Sequence, residues 1–183
     1  MEWMNMSLRD FTKEYQIHTH NLYVCIGINQ KPGYRMESRV NYIINEVIES
    51  LKIEIPYYKE INVAYVYETN GLMQVRPFNV LKINERPCYK DLVDNVGSHR
   101  MEHVFFMSME VLKQYENEDC RFYFITDERI PHSNNILYKS QVDIEMNERY
   151  QNNKIKVILC KPKSLGSDLL EEYLSVYGNV RKY

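Results

Sequence analysis

Glycine and proline are scarce, six of each in 183 residues, and tryptophan occurs once. No Gly-, Ser- or Pro-rich linker, low-complexity tract or internal repeat divides the chain, and its length suits one domain with a sizeable core. No apolar run approaches the roughly 20 residues that span a bilayer. Met1 to Asn21 lacks the apolar stretch of about 7–15 residues that marks a signal peptide. Charge of one sign is also missing: 23 Lys and Arg face 25 Asp and Glu, a net charge of −2. The arginines Arg35, Arg39, Arg76, Arg86, Arg100 and Arg129 are dispersed, so the basic excess of a nucleic-acid-binding domain is absent. The four cysteines, Cys25, Cys88, Cys120 and Cys160, include no CxxC pair, which excludes a zinc knuckle or a thioredoxin-like site. Three of them lie in or beside apolar, strand-like runs, where cysteine behaves as a small buried hydrophobe. These absences point to a soluble, cytoplasmic protein in a reducing compartment. The single alanine, Ala64, set against 16 tyrosines and 17 asparagines, reads as codon bias.

What is present is an alternation of strands and helices. Leu22 to Ile28 is short, β-branched and apolar on both faces, as a central strand covered on both sides must be. Pro32-Gly33 marks the loop after it. Val40, Ile43, Ile44, Val47, Ile48 and Leu51 then form one apolar helix stripe. Ile61 to Glu68 is a second strand, and Asn70-Gly71 turns it into a return strand, Met73 to Phe78, with Pro77 at its edge or end. Met101, Val104, Phe105, Ser108, Val111, Leu112 and Tyr115 make a second stripe, leading to the strand Arg121 to Thr126. Residues 136–152 read as weakly helical, Ile155 to Cys160 as a strand, and Asp168 to Tyr177 as a closing helix capped by Gly178. The order β-α-β-β-α-β-α-β-α predicts a three-layer, doubly wound α/β fold, its sheet mostly parallel with one antiparallel edge strand. Residues 1–21 form an approach segment and 22–183 the single domain. In such sheets ligands bind at the carboxyl ends of the strands, where the topology switches.

The loops at that edge carry no glycine-rich dinucleotide fingerprint and no P-loop, and the chain has no HExxH, GxSxG or kinase signature. The strand 22–28, the stripe 40–51, the hairpin ending Val75-Arg76-Pro77-Phe78, Gly97-Ser98-His99-Arg100-Met101 opening a helix, and Phe122-Tyr123-Phe124-Ile125-Thr126-Asp127 follow one another in an order that resembles a von Willebrand factor type A (VWA) domain. The likeness covers about residues 21–178 and is greatest to compact bacterial VWA proteins of tellurium resistance and stress. It implies a metal-ion-dependent adhesion site built from Asp-x-Ser-x-Ser, a threonine and the Asp of Thr-Asp-Gly. Carried across, the first motif falls on Gly27, Asn29 and Lys31, and the threonine on Ser98 or His99. Asp127 is kept, with Glu128 in place of the following glycine. Magnesium asks for about six oxygens near 2.0–2.1 Å. Gly27 offers none, Asn29 one neutral oxygen, and a lysine about 4 Å from a divalent ion would cost roughly 8 kcal/mol at an effective dielectric of 20. The expectation is a degenerate site with no metal and no cofactor, and Lys31 standing in for the cation beside Asp127 is one form it could take.

The resemblance implies a protein-protein interaction module, not an enzyme, whose rim at this edge includes Lys31, Arg100 and Glu128; Lys31, Arg100 and His99 would meet an acidic residue of the partner, with Asp127 holding the loops. Nucleic acid and membrane are not expected as partners. A different class stays open: a small α/β hydrolase or nucleotide-binding protein using His99, His103, Asp127, Glu128 and His132 at the same edge. His18 and His20 read as an exposed approach. Tyr65 and Tyr67 share one strand face and read as packing residues, whereas Tyr57-Tyr58 beside Pro56 reads as an exposed patch.

Overall fold

The computed structural model describes residues 20–29, 37–69, 72–84, 101–126, 155–161 and 179–183. Its elements are β1 (Leu22–Asn29), α1 (Glu37–Glu54), a 3-10 turn (Ile55–Tyr57), β2 (Ile61–Thr69), β3 (Leu72–Val80), α2 (Met101–Lys113), β4 (Asp119–Thr126), β5 (Ile155–Lys161) and β6 (Asn179–Lys182). The sheet runs β3-β2-β1-β4-β5-β6. All pairs are parallel except β2–β3. The expected α/β architecture, with its one antiparallel edge strand, is what forms.

Two cores explain the order of layers. Leu22, Val24, Ile26 and Ile28 point to one face, where every member of the stripe Val40, Ile43, Ile44, Val47, Ile48 and Leu51 on α1 is buried against them. Cys25 points to the other face, among Val104, Phe105, Met109 and Leu112 of α2 and Phe122 and Phe124 of β4. Phe105 meets both of these rings edge-on, with centroids 5.2 and 5.6 Å apart. Burial on both faces is why β1 reads as a continuous apolar run with no alternation. Tyr67 is buried and Tyr65 half-buried against the α1-side core, as their shared face predicts.

The hairpin places Thr69 opposite Leu72, with the Asn70-Gly71 dipeptide between the strands. β3 runs past Pro77 to Val80. The pairing shifts between Val63 and Tyr65, which face Asn79 and Arg76, so Pro77 and Phe78 together oppose Ala64. A bulge on an edge strand tolerates a residue with no N–H to donate. β6 was not foreseen. Its only aliphatic residue is Val180, which packs on the α2-side core, while Tyr183 just beyond it packs on the α1-side core. A four-residue edge strand of this composition has no periodic signature, and pairing with β5 defines it. The readings of 136–152 and of Asp168 to Tyr177 as helices lie outside the described residues. Among those described, no helix is long and apolar enough to cross a membrane.

Candidate functional site

β1 sends the chain to β2 on one side, while β4 flanks it on the other, so the topological switch lies between β1 and β4. The two strands end level: Asn29 pairs with Thr126, and Asn29 Nδ2 donates to Thr126 Oγ1 at 3.2 Å. Carrying the register one residue past Ile28–Tyr67 sets Glu68 beside Asn29, and one past Ile125–Cys160 sets Lys161 beside Thr126. Glu68, Asn29, Thr126 and Lys161 therefore form a single row across four parallel strands. Each lies two residues beyond a member of the next row down, Val66, Gly27, Phe124 and Leu159, so strand alternation puts all four on the α2 side. All four are buried. One pleat separates an apolar core from an acid, an amide, a hydroxyl and an amine.

The row is unevenly satisfied. Asn29 Oδ1 and Glu68 Oε2 are buried with no hydrogen-bond partner. Among the described residues, the basic group that faces the Glu68 carboxylate is His103 on α2, whose Nδ1 is 3.7 Å from Oε2, too long for a hydrogen bond. A buried acceptor without a donor costs about 1–3 kcal/mol, and a carboxylate more. Lys161 sits three strand spacings from Glu68, about 14 Å, too far to neutralise it by contact.

Of the adhesion-site positions carried over from sequence, Gly27 and Asn29 are described. Gly27 is not at the edge. A Cβ built there would meet Ser108 Oγ at 2.7 Å, Phe122 Cε2 at 2.8 Å and Val104 Cγ1 at 3.2 Å. Ser108 is itself held by its bond to the Val104 carbonyl at 2.7 Å. A side chain at residue 27 would force Ser108 and the Phe122 ring to move, and β1 reaches the edge with Asn29. Lys31, Ser98, His99, Arg100, Asp127, Glu128 and His132, and with them the Lys31–Asp127 pair, lie outside the described residues. Among the described residues no three His, Cys, Asp or Glu side chains come together as metal ligands would. Glu68 was read only as the last residue of the strand from Ile61, and Lys161 fell one residue beyond the strand read over Ile155 to Cys160. Their phase was the available signal: each continues the buried alternation of its own strand.

At the amino end of the sheet a second polar cluster is closed. Arg121 on β4 grips Glu54 at the end of α1 with both terminal nitrogens, Nη1 to Oε1 at 2.8 Å and Nη2 to Oε2 at 2.7 Å. Nη2 also donates to the Tyr58 hydroxyl at 3.0 Å. Burial opposes the guanidinium charge, but the Glu54 carboxylate outweighs it and its pKa moves up. Tyr58 is thus half-buried in this clamp, and only Tyr57 of the expected tyrosine patch is exposed. The thiols Cys25, Cys120 and Cys160 are free and buried, and burial pushes each up to about 12. They are packing groups, not nucleophiles.

No family model matches the sequence, and no curated protein matches it either. Solved structures do match the fold. The VWA domain of SpRpn10 superposes with a TM-score of 0.55 at 8% identity, over 90% of this chain and 87% of that one. A von Willebrand factor type A protein from Catenulispora acidiphila superposes with a TM-score of 0.53 at 13% identity, over 90% of this chain and 38% of that one. Identities this low speak for architecture alone, and on architecture sequence order and structure agree: the chain has the fold of a VWA domain.

Proposed function

We propose that this protein is a non-enzymatic interaction module, a VWA-like adaptor of the kind found in bacterial stress and tellurium-resistance systems, that engages a protein partner at the carboxyl edge of its sheet without a bound metal. The observation that carries this reading is the buried polar row Glu68-Asn29-Thr126-Lys161 at the switch point. The row does not suit a divalent ion. β1 brings a neutral carboxamide to the edge, and residue 27 has no room for a ligand. The cationic residues Lys31 and Arg100, with Glu128, complete the rim on the sequence reading, and the protein is read as cytoplasmic.

Site-specific photo-crosslinking tests this. A crosslinker at His103, at the edge, is expected to trap a discrete protein partner in cells, and one at Tyr57, at the opposite end, is not. Equal capture at both positions, or none at His103, overturns the reading. Calorimetry with magnesium and manganese is expected to show no saturable heat; a saturable response abolished by Asp127→Ala would mean the adhesion site still holds metal.

A further inference from the structure

We propose that Glu68 and Asn29 form a receptor for a guanidinium group, an arginine side chain of the partner entering at the carboxyl edge beside His103. This rests on the interaction reading and specifies its chemistry. Six buried side-chain atoms among the described residues lack a hydrogen-bond partner. Four of them, on Asn21, Asn41, Asn62 and Tyr123, are neutral groups on separate elements. The remaining two are Asn29 Oδ1 and Glu68 Oε2, on neighbouring strands, level in register and on one face. One belongs to a carboxylate.

Both atoms are acceptors, so the occupant must donate at two points, and the carboxylate asks that it be positive. Water would satisfy the hydrogen bonds but leave the charge uncompensated. An ammonium is a compact, strongly hydrated point charge. A guanidinium is planar, carries five donors in a fixed fork, is weakly hydrated and stays charged when buried. Its fork can bridge acceptors on strands about 4.8 Å apart. His103 fits this role as a neighbour. Its side chain is 46% exposed and 3.7 Å from Glu68 Oε2, so the carboxylate lies one side chain from solvent, and the imidazole offers a flat surface on which a guanidinium stacks. The polarity is the reverse of the rim read from sequence, where cationic residues meet an acidic partner.

The test is an NMR titration of the whole 15N-labelled chain with N-acetyl-argininamide, N-acetyl-lysinamide and magnesium chloride, following the Asn29 side-chain amide and the His103 ring. The arginine probe is expected to give a saturable shift at both, and an intermolecular NOE from its δ-methylene to the His103 ring. Glu68→Gln, which keeps the shape and removes the charge, is expected to weaken binding about tenfold or more. Glu49→Gln, which removes an exposed carboxylate on α1, is expected to leave it unchanged. Absence of a saturable shift or of the NOE, equal binding by Glu68→Gln, or lysine binding as tightly as arginine overturns the proposal. So does a magnesium shift that Glu68→Gln abolishes, since the site would then be a cation site of another kind. A partner trapped at His103 with no arginine response removes the guanidinium and leaves the adaptor; an arginine response with no partner trapped does the opposite.

Discussion

At the amino end of β4, Arg121 is clamped: both oxygens of Glu54 and the Tyr58 hydroxyl take three of its donors, and the ring of Tyr58 lies 5.9 Å from its guanidinium carbon. Five residues along the same strand, Thr126 lies in a row where the neighbouring Asn29 and Glu68 each keep a buried acceptor without a donor. The strand is the same, although Arg121 is half-buried and Thr126 fully so. The difference is one of completion. A satisfied polar network ties α1 to the sheet and has nothing left to offer a ligand. An unsatisfied one costs stability and calls for a water, an ion or a ligand to complete it. Asn21 and Asn62, at the amino ends of β1 and β2, also keep an unpartnered buried atom, so what sets the carboxyl edge apart is that its two open acceptors are level in register and one belongs to a carboxylate.

The largest effect is expected where the edge row meets the core. Gly27→Asp restores the acidic residue that the resemblance places there, but into a space filled by Ser108 and Phe122. Overpacking together with a buried unpaired charge is expected to cost at least about 3 kcal/mol, or to prevent folding. The readout is the urea midpoint. A stable Gly27→Asp variant that binds magnesium would move the edge of β1 down by one pleat and erase the distinction between core and site.

Alkaline titration sharpens the contrast by probing the sheet between its two ends. Each buried thiol has an ordinary value of 9.0 and is pushed up by burial to about 12 in the folded chain. The unfolded chain releases those protons first as pH rises. Their stabilising contribution is thus complete below about pH 9 and is lost between about 9 and 12, on the order of 1 kcal/mol per thiol by about pH 10. Thermal midpoints across pH 7–10 are expected to fall at the alkaline end, and the native Cys88→Ser variant is expected to resist thiol labelling at about pH 8. Rapid labelling would mean that these strands open locally.

Breaking the clamp is the direct counterpart. Arg121→Met removes the fork and leaves Glu54, 30% exposed, with its charge partly buried and uncompensated. The expected loss is about 2 kcal/mol by urea denaturation, less than for a fully buried pair because water reaches the carboxylate. A double-mutant cycle with Glu54→Gln is expected to show coupling of about 1–2 kcal/mol. Loss of coupling would mean that the two ends differ in geometry but not in energetics.

Sequence made the architecture legible because periodicity carries it. The stripe on α1 is buried at all six positions, and the double-sided apolar run of β1 predicted cover on both faces. The hairpin followed from Asn70-Gly71, and Pro77 marked an edge because only an edge can do without its donor. The site was less legible. Asn29 was found because the loop after a central strand is where such folds bind ligands. Glu68 and Lys161 were not, because one polar residue closing an apolar strand looks the same whether it turns outward or lies inward. Which of the two holds depends on register with strands distant in sequence: Glu68 joins Asn29 through β1–β2, and Lys161 joins Thr126 through β4–β5. Phase along each strand turns the side chain inward, but which residues stand beside it is set by that long-range pairing.

The smallest effect carries the most information because its sign is reversed. Glu68→Gln conserves volume, keeps an acceptor and replaces a buried charge that has no hydrogen-bond donor at Oε2 by a neutral amide. Were Glu68 a structural residue like Glu54, removing its charge would destabilise the fold. As half of an open receptor, its charge is a cost that the unliganded protein bears, and the variant is expected to gain about 0.5–1 kcal/mol. His103 does not offset this, since at 3.7 Å it makes no hydrogen bond and carries charge only when protonated. Urea denaturation measures the difference directly. A gain in stability paired with a loss of arginine binding separates the open end of the sheet from the closed one. A loss of stability as large as that of Arg121→Met would make both ends clamps.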